Sequence, residues 1–481
     1  MIKSKFSPII CIVSLLCVIL PEHSKGQYIS ISGKVICNGK GVESVVVTDG
    51  NTCVTTDKKG LYTIQTSKST DFVYLSTPSG YLPHDSLMIP HFYKRLNFNK
   101  SKIYNFELKK NPKNDYNHTL LVHTDPQFYK TGNFNHYQKV IEDCQETINK
   151  YKNVDVFGID CGDLVGDKPE FYPTYIEYLS KTEIPFYRVL GNHDMDYSRR
   201  SDETSTTSYN KIFGPAYYSF NKGKNHYIIL DDIFYIGRDY FYMGYVSEKI
   251  LNWLKEDLSY VPKGSTVFVS MHIPARLNNK SEFFKYDGYS IAEQTVNVSA
   301  LFQVLEPYNV HILTGHMHYN RNIIHSSTLY EHNLGAICGT WWQGDYCLDG
   351  SPIGYGVYEI TGEQVNWYFK SVGYPRSCQM RAYPAGSNTE FPDDIIVNVW
   401  NWDKNWKIEW FENGKNMGEM TRFEGIDPKV AEMCSNKEKL EFNWISPIKT
   451  EHMFRATPQN KNSKIKINAT DSFGNTYIAE L

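Results

Sequence analysis

Polar and apolar positions change their rhythm twice along this chain. The stretch ISISGKVIC, residues 29–37, alternates with a period of two, which predicts a strand with one buried face. The turn signals NGKG and TDGN follow, and TCVTTDKKGLYTIQT predicts two strands on either side of a DKKG turn. Residues 28 to about 112 therefore read as all-β. From about residue 117 strands and helices alternate. HTLLVHTD, VDVFGIDCGD, IPFYRVLGNHD, STVFVSMHIP and NVHILTGHMH are short apolar runs that end in polar residues. Between them Val140, Ile141, Cys144 and Ile148 fall at helical spacing, and YPTYIEYLSK reads as a helix. Near-continuous apolar strands are buried on both faces, so this segment is α/β. Ligands in such sheets sit beyond the carboxyl ends of the strands. After about residue 373 the alternation with period two returns in DIIVNVWNWDKNWKIEWFENGKNM, with an NG turn, and SKIKINATDSFGNTYIAEL reads as a closing hairpin.

Composition adds boundaries to this picture. A length of 481 residues predicts two or three domains. A net charge of −3 gives no basic field for nucleic acid. The 36 tyrosines and 25 phenylalanines favour strands and permit stacking sites. The opening MIKSKFSPIICIVSLLCVILPEHSKGQ has a basic start at Lys3 and Lys5, an apolar run from Phe6 to Leu20, and small residues at Ser24 and Gly26. This is the pattern of a secretory signal spanning 1–26, too short and wrongly flanked for a lasting transmembrane helix. A lipidated Cys17 fits less well, because Leu16 is a poor residue before such a cysteine. The expectation is an exported chain, periplasmic or at the cell surface, divided as 27–112, 113–372 and 373–481, with no spanning segment after signal removal. Losing Cys11 and Cys17 with the signal leaves eight of the ten cysteines. Cys37 with Cys53, and Cys338 with Cys347, are the pairs close in sequence, and buried free thiols explain them equally well.

The candidate chemistry lies at the strand tips. HTDPQ, DCGDLVGD, LGNHDMD, SMHIPA and TGHMHYN place Asp125, Asp163, Asn192, His193, His272, His316 and His318 at the carboxyl ends of apolar strands. Carboxylate, amide and imidazole suit Mn, Fe, Zn, Ni or Co better than copper(I) or a sulfur cluster. Seven groups exceed the needs of one tetrahedral ion and match two ions ~3.5–4 Å apart with a carboxylate between them. Asp163 is the natural bridge, because Gly162 lets the backbone turn closely there. In an extended chain His316 and His318 would point the same way, one toward each ion.

The ordered set D-x-Q, GD, GNHD, H and GHxH resembles the calcineurin-like metallophosphoesterase family over roughly residues 117 to 350. FGPAYYSFNKGKNHYIILDD and GTWWQGDYCLDGSPIGYGVYEI resemble a secreted bacterial branch with small N- and C-terminal β-domains. The N-terminal pattern at Gly33, Val35, Asp57, Gly60 and Tyr62 resembles the carboxypeptidase-regulatory-like sandwich. The resemblance implies an α/β fold, a four-layer α/β/β/α sandwich flanked by two small all-β domains. It implies a first ion on Asp125, Asp163 and His318, and a second on Asp163, Asn192, His272 and His316. His193 would lie beside the phosphate. The implied reaction is hydrolysis of a phosphomonoester or phosphodiester, on a small molecule or a glycan, by a water or hydroxide activated between two metals. His193 would assist at the phosphate or the leaving group. Most members place a histidine where this chain has Gln127, whose amide oxygen is a weak ligand, so the first ion is expected to be the looser. The alternative is a weakened metal site that binds a phosphorylated or glycan ligand without turnover.

Neighbouring residues have blander explanations. Asp160, Asp167, Asp194 and Asp196 read as solvated carboxylates or as supports behind the ligands, Asp194 first among them. His311 reads as a core histidine; His123, on the strand face of Asp125, reads as core packing first and otherwise as a group reaching the site in place of the missing histidine. Trp341 and Trp342 offer either an aromatic wall over a sugar or base or packing against the C-terminal segment, and Tyr217 and Tyr218 carry the same choice. Arg199 and Arg200, in a polar loop after GNHD, offer either a second substrate charge or a solvated loop. Pro126 is expected to hold Asp125 in extended backbone.

Overall fold

Strand Asn117–His123 is buried along nearly its whole length, yet its alternate residues enter two different cores. Leu120 and Val122 pack inward against a second sheet, while Leu121 packs outward against helices. The computed structural model, which describes residues 28–237, 241–277 and 290–481, builds the central domain on that division. The first sheet runs Phe186–Arg188, Asp155–Asp160, Asn117–His123, Gly354–Thr361, Gln364–Ser371. Its first three strands are parallel, and Gly354–Thr361 joins antiparallel, Asn117 opposite Thr361. The second sheet runs Tyr218–Lys222, Asn225–Ile229, Thr266–Ser270, Asn309–Thr314, Leu329–Asn333, Arg321–Ser326.

The layer between the sheets holds Leu120, Val122, Phe157, Tyr227, Phe268 and Leu313. Helices Asn133–Asn149 and Tyr172–Ser180 cover the first sheet through Tyr137, Val140, Ile141, Cys144 and Leu179. Helices Glu248–Leu258 and Val298–Leu305 cover the second through Trp253, Leu254 and Leu301. Burying each large apolar side chain of this kind contributes ~1.5–3 kcal/mol. The result is the four-layer α/β/β/α sandwich, with the carboxyl ends of the parallel strands of both sheets along one edge.

Two β-modules flank it. In the N-terminal one, strand Tyr28–Cys37 pairs antiparallel with Leu61–Ser67 and parallel with Phe106–Lys110. The strands on either side of the DKKG turn do not pair with each other: Cys53–Thr55 joins Val46–Thr48 in the opposite sheet. In the C-terminal module two four-stranded sheets enclose Val397, Trp406, Ile408, Trp410 and Ile467. The NG turn is present, with Asn413 at φ 50° and Gly414 at φ 84°, the primed geometry that suits a hairpin. All eight cysteines among the described residues are free thiols. No helix among the described residues is long and apolar enough to cross a membrane. The expected signal, 1–26, lies outside the described residues.

His118 is buried in the core, and His311 is half-buried among other rings. His311 Nδ1 sits 3.0 Å from His332 Nε2, and His118 Nε2 sits 2.5 Å from the Tyr227 hydroxyl. Burial pushes the pKa of both His118 and His311 down to about 4, and burial with the neighbouring His311 lowers that of His332. An unfolded histidine takes its proton near pH ~6.5. As pH falls from there to about 4 the unfolded state binds more protons at these positions, so their contribution to stability is progressively lost. His311→Gln removes one such group. The stability gap between wild type and variant should narrow as pH falls from 6.5 to 4 in denaturant titrations; parallel curves would mean that His311 is not held neutral.

Candidate metal centre

Each strand tip delivers a side chain to one cleft. Asp125 is fully buried just past strand Asn117–His123, and its two oxygens accept the His316 backbone N–H at 3.1 and 2.9 Å. Asp163 follows strand Asp155–Asp160. Its Oδ1 accepts the His193 N–H at 2.8 Å and lies 3.2 Å from His272 Nε2. Its Oδ2 accepts Gln127 Nε2 at 2.6 Å. His272 Nδ1 donates to the Cys161 carbonyl at 2.8 Å, which leaves Nε2 to face the cleft, 3.0 Å from Asn192 Oδ1. His318 repeats the device: Nδ1 donates to the Gly339 carbonyl at 2.7 Å, and Nε2 lies 3.5 Å from Asp125 Oδ1. One donor atom each from Asp163, His272 and His316 lie within 4.8 Å of one another.

The backbone here is unusual. Asp125, Gln127, Asp163, His316 and His318 have φ of 51°, 39°, 54°, 68° and 54°. Side chains other than glycine rarely adopt this region, and each such residue costs ~1–3 kcal/mol unless its surroundings fix it. Two expectations fail on this point. Pro126 does not hold Asp125 extended: the residue stands in the left-handed region, its backbone bonded to Gly162 and Cys338 and its carboxylate to the His316 N–H. Nor do His316 and His318 share an extended segment. Met317 N–H bonds to Gly315 O at 2.7 Å, so the chain turns sharply between them. They still serve different carboxylates, His318 beside Asp125 and His316 beside Asp163.

Two glycines make the close approach possible. Gly162 stands at φ 85°, and a Cβ there would come within 2.6 Å of His272 Nδ1. A Cβ on Gly191 would lie 2.1 Å from the Asp163 backbone nitrogen and 2.2 Å from its Oδ1.

The charge balance fits a bound cation. Burial alone would raise the Asp163 pKa, but the imidazoles of His272 and His193 hold its carboxyl well below the usual range. His272, against the burial that would lower it, is raised to about 10 by Asp163. His316 is pushed down to about 3 by burial and by His272, and so presents a neutral imidazole. The buried carboxylates thus favour the protonated form of the imidazoles beside them, and a cation binding among these oxygen and nitrogen donors would compete with those protons.

The supporting residues sort as follows. His193 Nδ1 bonds to Asp167 Oδ1 at 2.8 Å, and its side chain stays 31% exposed. Burial would lower its pKa, yet Asp163 and Asp167 raise it to about 9. Asp167, rather than Asp194, is therefore the carboxylate that orients a histidine. Asp194 ties the two motif loops together, accepting from the N–H groups of Leu164 at 3.1 Å and Gly191 at 3.0 Å. Asp160 and His123 lie deeper and pack on each other at 3.2 Å, and Asp196 accepts the Ser208 N–H at 2.9 Å.

Gln127 touches Asp163 through its NH2 group, so its oxygen is not the atom turned to that carboxylate. Of the two alternatives for the tryptophans, wall or packing, Trp342 packs, within the central domain. Trp342 is buried, stacks on Phe128 at 5.7 Å and donates its Nε1 N–H to the Pro126 carbonyl at 3.0 Å. Trp341 stacks on His318 at 4.2 Å and meets Trp444 of the C-terminal module edge-on at 4.6 Å. Tyr218 is buried with its hydroxyl on the Arg188 carbonyl, and Tyr217 donates to Gly50 O of the N-terminal module. Arg199 and Arg200 are exposed.

Sequence reasoning missed Asp232. It is fully buried and accepts the N–H groups of His272 at 3.0 Å and Ile273 at 2.9 Å. Burial pushes its pKa up to about 7, against the pull of His272. Its position after the apolar run YIIL was the same strand-tip signal as the others.

A mixed α/β sandwich with an Asp/Asn/His cluster at its strand tips, flanked by all-β modules, defines the metallophosphoesterase fold. The family model described as Calcineurin-like phosphoesterase matches residues 118–320. Those for the N terminal and the C terminal of Calcineurin-like phosphoesterase match 29–111 and 331–477. Together the three matches span well over half of the chain, which belongs to the calcineurin-like phosphoesterase family, metal-dependent hydrolases of phosphate esters. No curated protein matches it. Among solved structures, a dimetal phosphatase from Danio rerio is 14% identical with a TM-score of 0.38, over 53% of this chain and 96% of that one. A 5'-nucleotidase from Candida albicans is 15% identical with a TM-score of 0.32, over 55% and 53%. The NAD nucleotidase of Haemophilus influenzae is 10% identical with a TM-score of 0.31, over 53% and 50%.

Gly191→Ala should displace the Asp163 loop. Overpacking of this kind costs ~1–3 kcal/mol, so a lower melting temperature and weaker metal binding are expected. Gly132→Ala, where a Cβ would meet nothing within 4 Å, is the matched control. Equal melting temperatures and metal content would show that the contact is not constraining.

Proposed function

We propose that this protein hydrolyses phosphate esters with two divalent cations, Asp163 being shared between them. The first cation rests on Asp125, Asp163 and His318, and the second on Asp163, Asn192, His272 and His316. The observation that carries this reading is the convergence of Asp163, His272 and His316 donor atoms within 4.8 Å, with Asn192 Oδ1 3.0 Å from His272 Nε2. Bound there, two cations supply an activated water and neutralise charge on the phosphate oxygens. Mn, Fe, Zn, Ni and Co all suit the donors.

The chain's own residues do the rest. The Cys161 and Gly339 carbonyls fix His272 and His318 with Nε2 toward the cleft, so the ligands are oriented before anything binds. Asp167 holds His193 Nδ1, which leaves Nε2–H as the remaining donor. His193 is less buried than Asp125, Asp163, His272 and His318, as a group that meets substrate must be. Nε2–H donates to a phosphate oxygen or to the leaving oxygen as the ester bond breaks. Gln127 in place of an imidazole makes the first cation the weaker-held one. The substrate is a phosphomonoester or phosphodiester on a small molecule or a glycan. The leader-like N-terminal pattern supports export to the periplasm or cell surface.

Purified protein supplied with Mn or Ni should turn over a chromogenic phosphate ester, and EDTA should abolish it. Absence of turnover with every metal, or turnover that EDTA leaves intact, would sink the reading. His193→Asn should keep the wild-type metal content by elemental analysis and lose at least ~100-fold in kcat; full activity would remove His193 from the reaction.

A further inference from the structure

We infer that the C-terminal β-module is part of the metal site, and that His452 and Asp349 position the loop carrying His318. The clamp starts at His318 itself, whose backbone carbonyl accepts the Leu348 N–H at 3.0 Å. Leu348 in turn accepts the Ile448 N–H at 3.1 Å. Two residues beyond His318, the Asn320 N–H donates to Asp349 Oδ2 at 2.9 Å. Asp349 is fully buried, and its other oxygen accepts the Ser351 N–H and hydroxyl at 3.0 and 2.7 Å.

The C-terminal module holds Asp349 from the far side. His452 Nε2 lies 3.2 Å from Asp349 Oδ2, and Nδ1 lies 2.7 Å from Asn398 Oδ1. Asn398 Nδ2 donates to the Asp349 carbonyl and to Asp427 Oδ2, both at 2.8 Å. That fixes the Asn398 oxygen toward His452, so both ring nitrogens face acceptors. His452, Asn398 and Asp427 are all buried. A polar network so enclosed costs heavily when one member is removed, which makes it a stiff link. A second contact from the same module reaches His318 by another route, through the Trp341 ring stacked on the imidazole and backed by Trp444.

Both routes end on a ligand of the first cation. Of the ligands of the second, Asn192 and His272 are held by their own loops and by Asp232, and His316, though it shares the loop with His318, is pinned separately by its N–H on the Asp125 carboxylate. Loss of the clamp should therefore weaken one ion and spare the other. The inference rests on the two-cation reading, and the experiment separates the two. Manganese is titrated into metal-free wild type, His452→Ala, Asp349→Asn and Asp394→Ala. The last breaks the 2.7 Å ion pair to Arg455 inside the same module, without touching the clamp. Hydrogen exchange is followed in the same metal-free proteins.

Clamp variants should bind the weaker cation at least ~10-fold less tightly, as loss of a ligand's support does, and hold the tighter one within about twofold. The segment 315–320 should exchange faster while 160–166 is unchanged. Asp394→Ala should match wild type in both readouts. Unchanged exchange at 315–320, or faster exchange with both affinities intact, or equal weakening of both ions, would overturn the clamp. A wild type that binds fewer than two ions would overturn the two-cation reading instead.

Discussion

A carboxylate shut away from water needs a donor or a positive charge at each oxygen, and Asp163 makes that demand at the centre of this fold. Four segments answer it. Gln127 comes from the exit of the first strand, the His193 N–H from the third loop, and His272 and His316 from the second sheet. No one sheet supplies them all. The two sheets must stand face to face at a fixed spacing, and the apolar layer of Leu120, Val122, Phe157, Phe268 and Leu313 sets that spacing. The strained backbone at Asp125, Asp163, His316 and His318 is sustained by the same packing, because each left-handed residue is pinned by bonds from a different element.

The two outer modules relate to this centre differently. The N-terminal sandwich grips the far edge of the second sheet, with the Asn221 N–H on Thr77 O at 2.8 Å and the Cys53 N–H on Glu256 Oε1 at 2.9 Å. None of those contacts involves a proposed ligand. The C-terminal module meets segments next to the proposed ligands, through Arg321 with Glu451 at 3.1 Å, Asn322 with Asn401, and the Lys130–Glu441 ion pair. Placement, rather than any chemistry in its own sheets, gives that module its influence.

Much of this was legible in the residues. Apolar runs that end in Asp, Asn or His predict strand tips along one edge, and the tips converge. Gly162 before Asp163 foretells the close turn. What could not be read was any geometry set by contacts distant in sequence. Pro126 argues for extended backbone at Asp125, yet the residue is left-handed, bonded to Gly162, Cys338 and His316, the last two about two hundred positions on. Trp341 and Trp342 look alike in sequence, but the sharp turn at their positive φ, 52° and 63°, sends one to the His318 imidazole and the other into the core. Asp349 and His452 carry no local signal, since each gains meaning only from the other.

Strand Gly354–Thr361 lies beside Asn117–His123, so the centre of the first sheet joins segments far apart in the chain. His452 lies later still. During synthesis the amino-terminal half can form the first three parallel strands, but the sheet lacks its antiparallel neighbour and the GHMH loop lacks its brace until the C-terminal module has emerged. The loop that carries His318 is accordingly braced only by the last-made part of the chain.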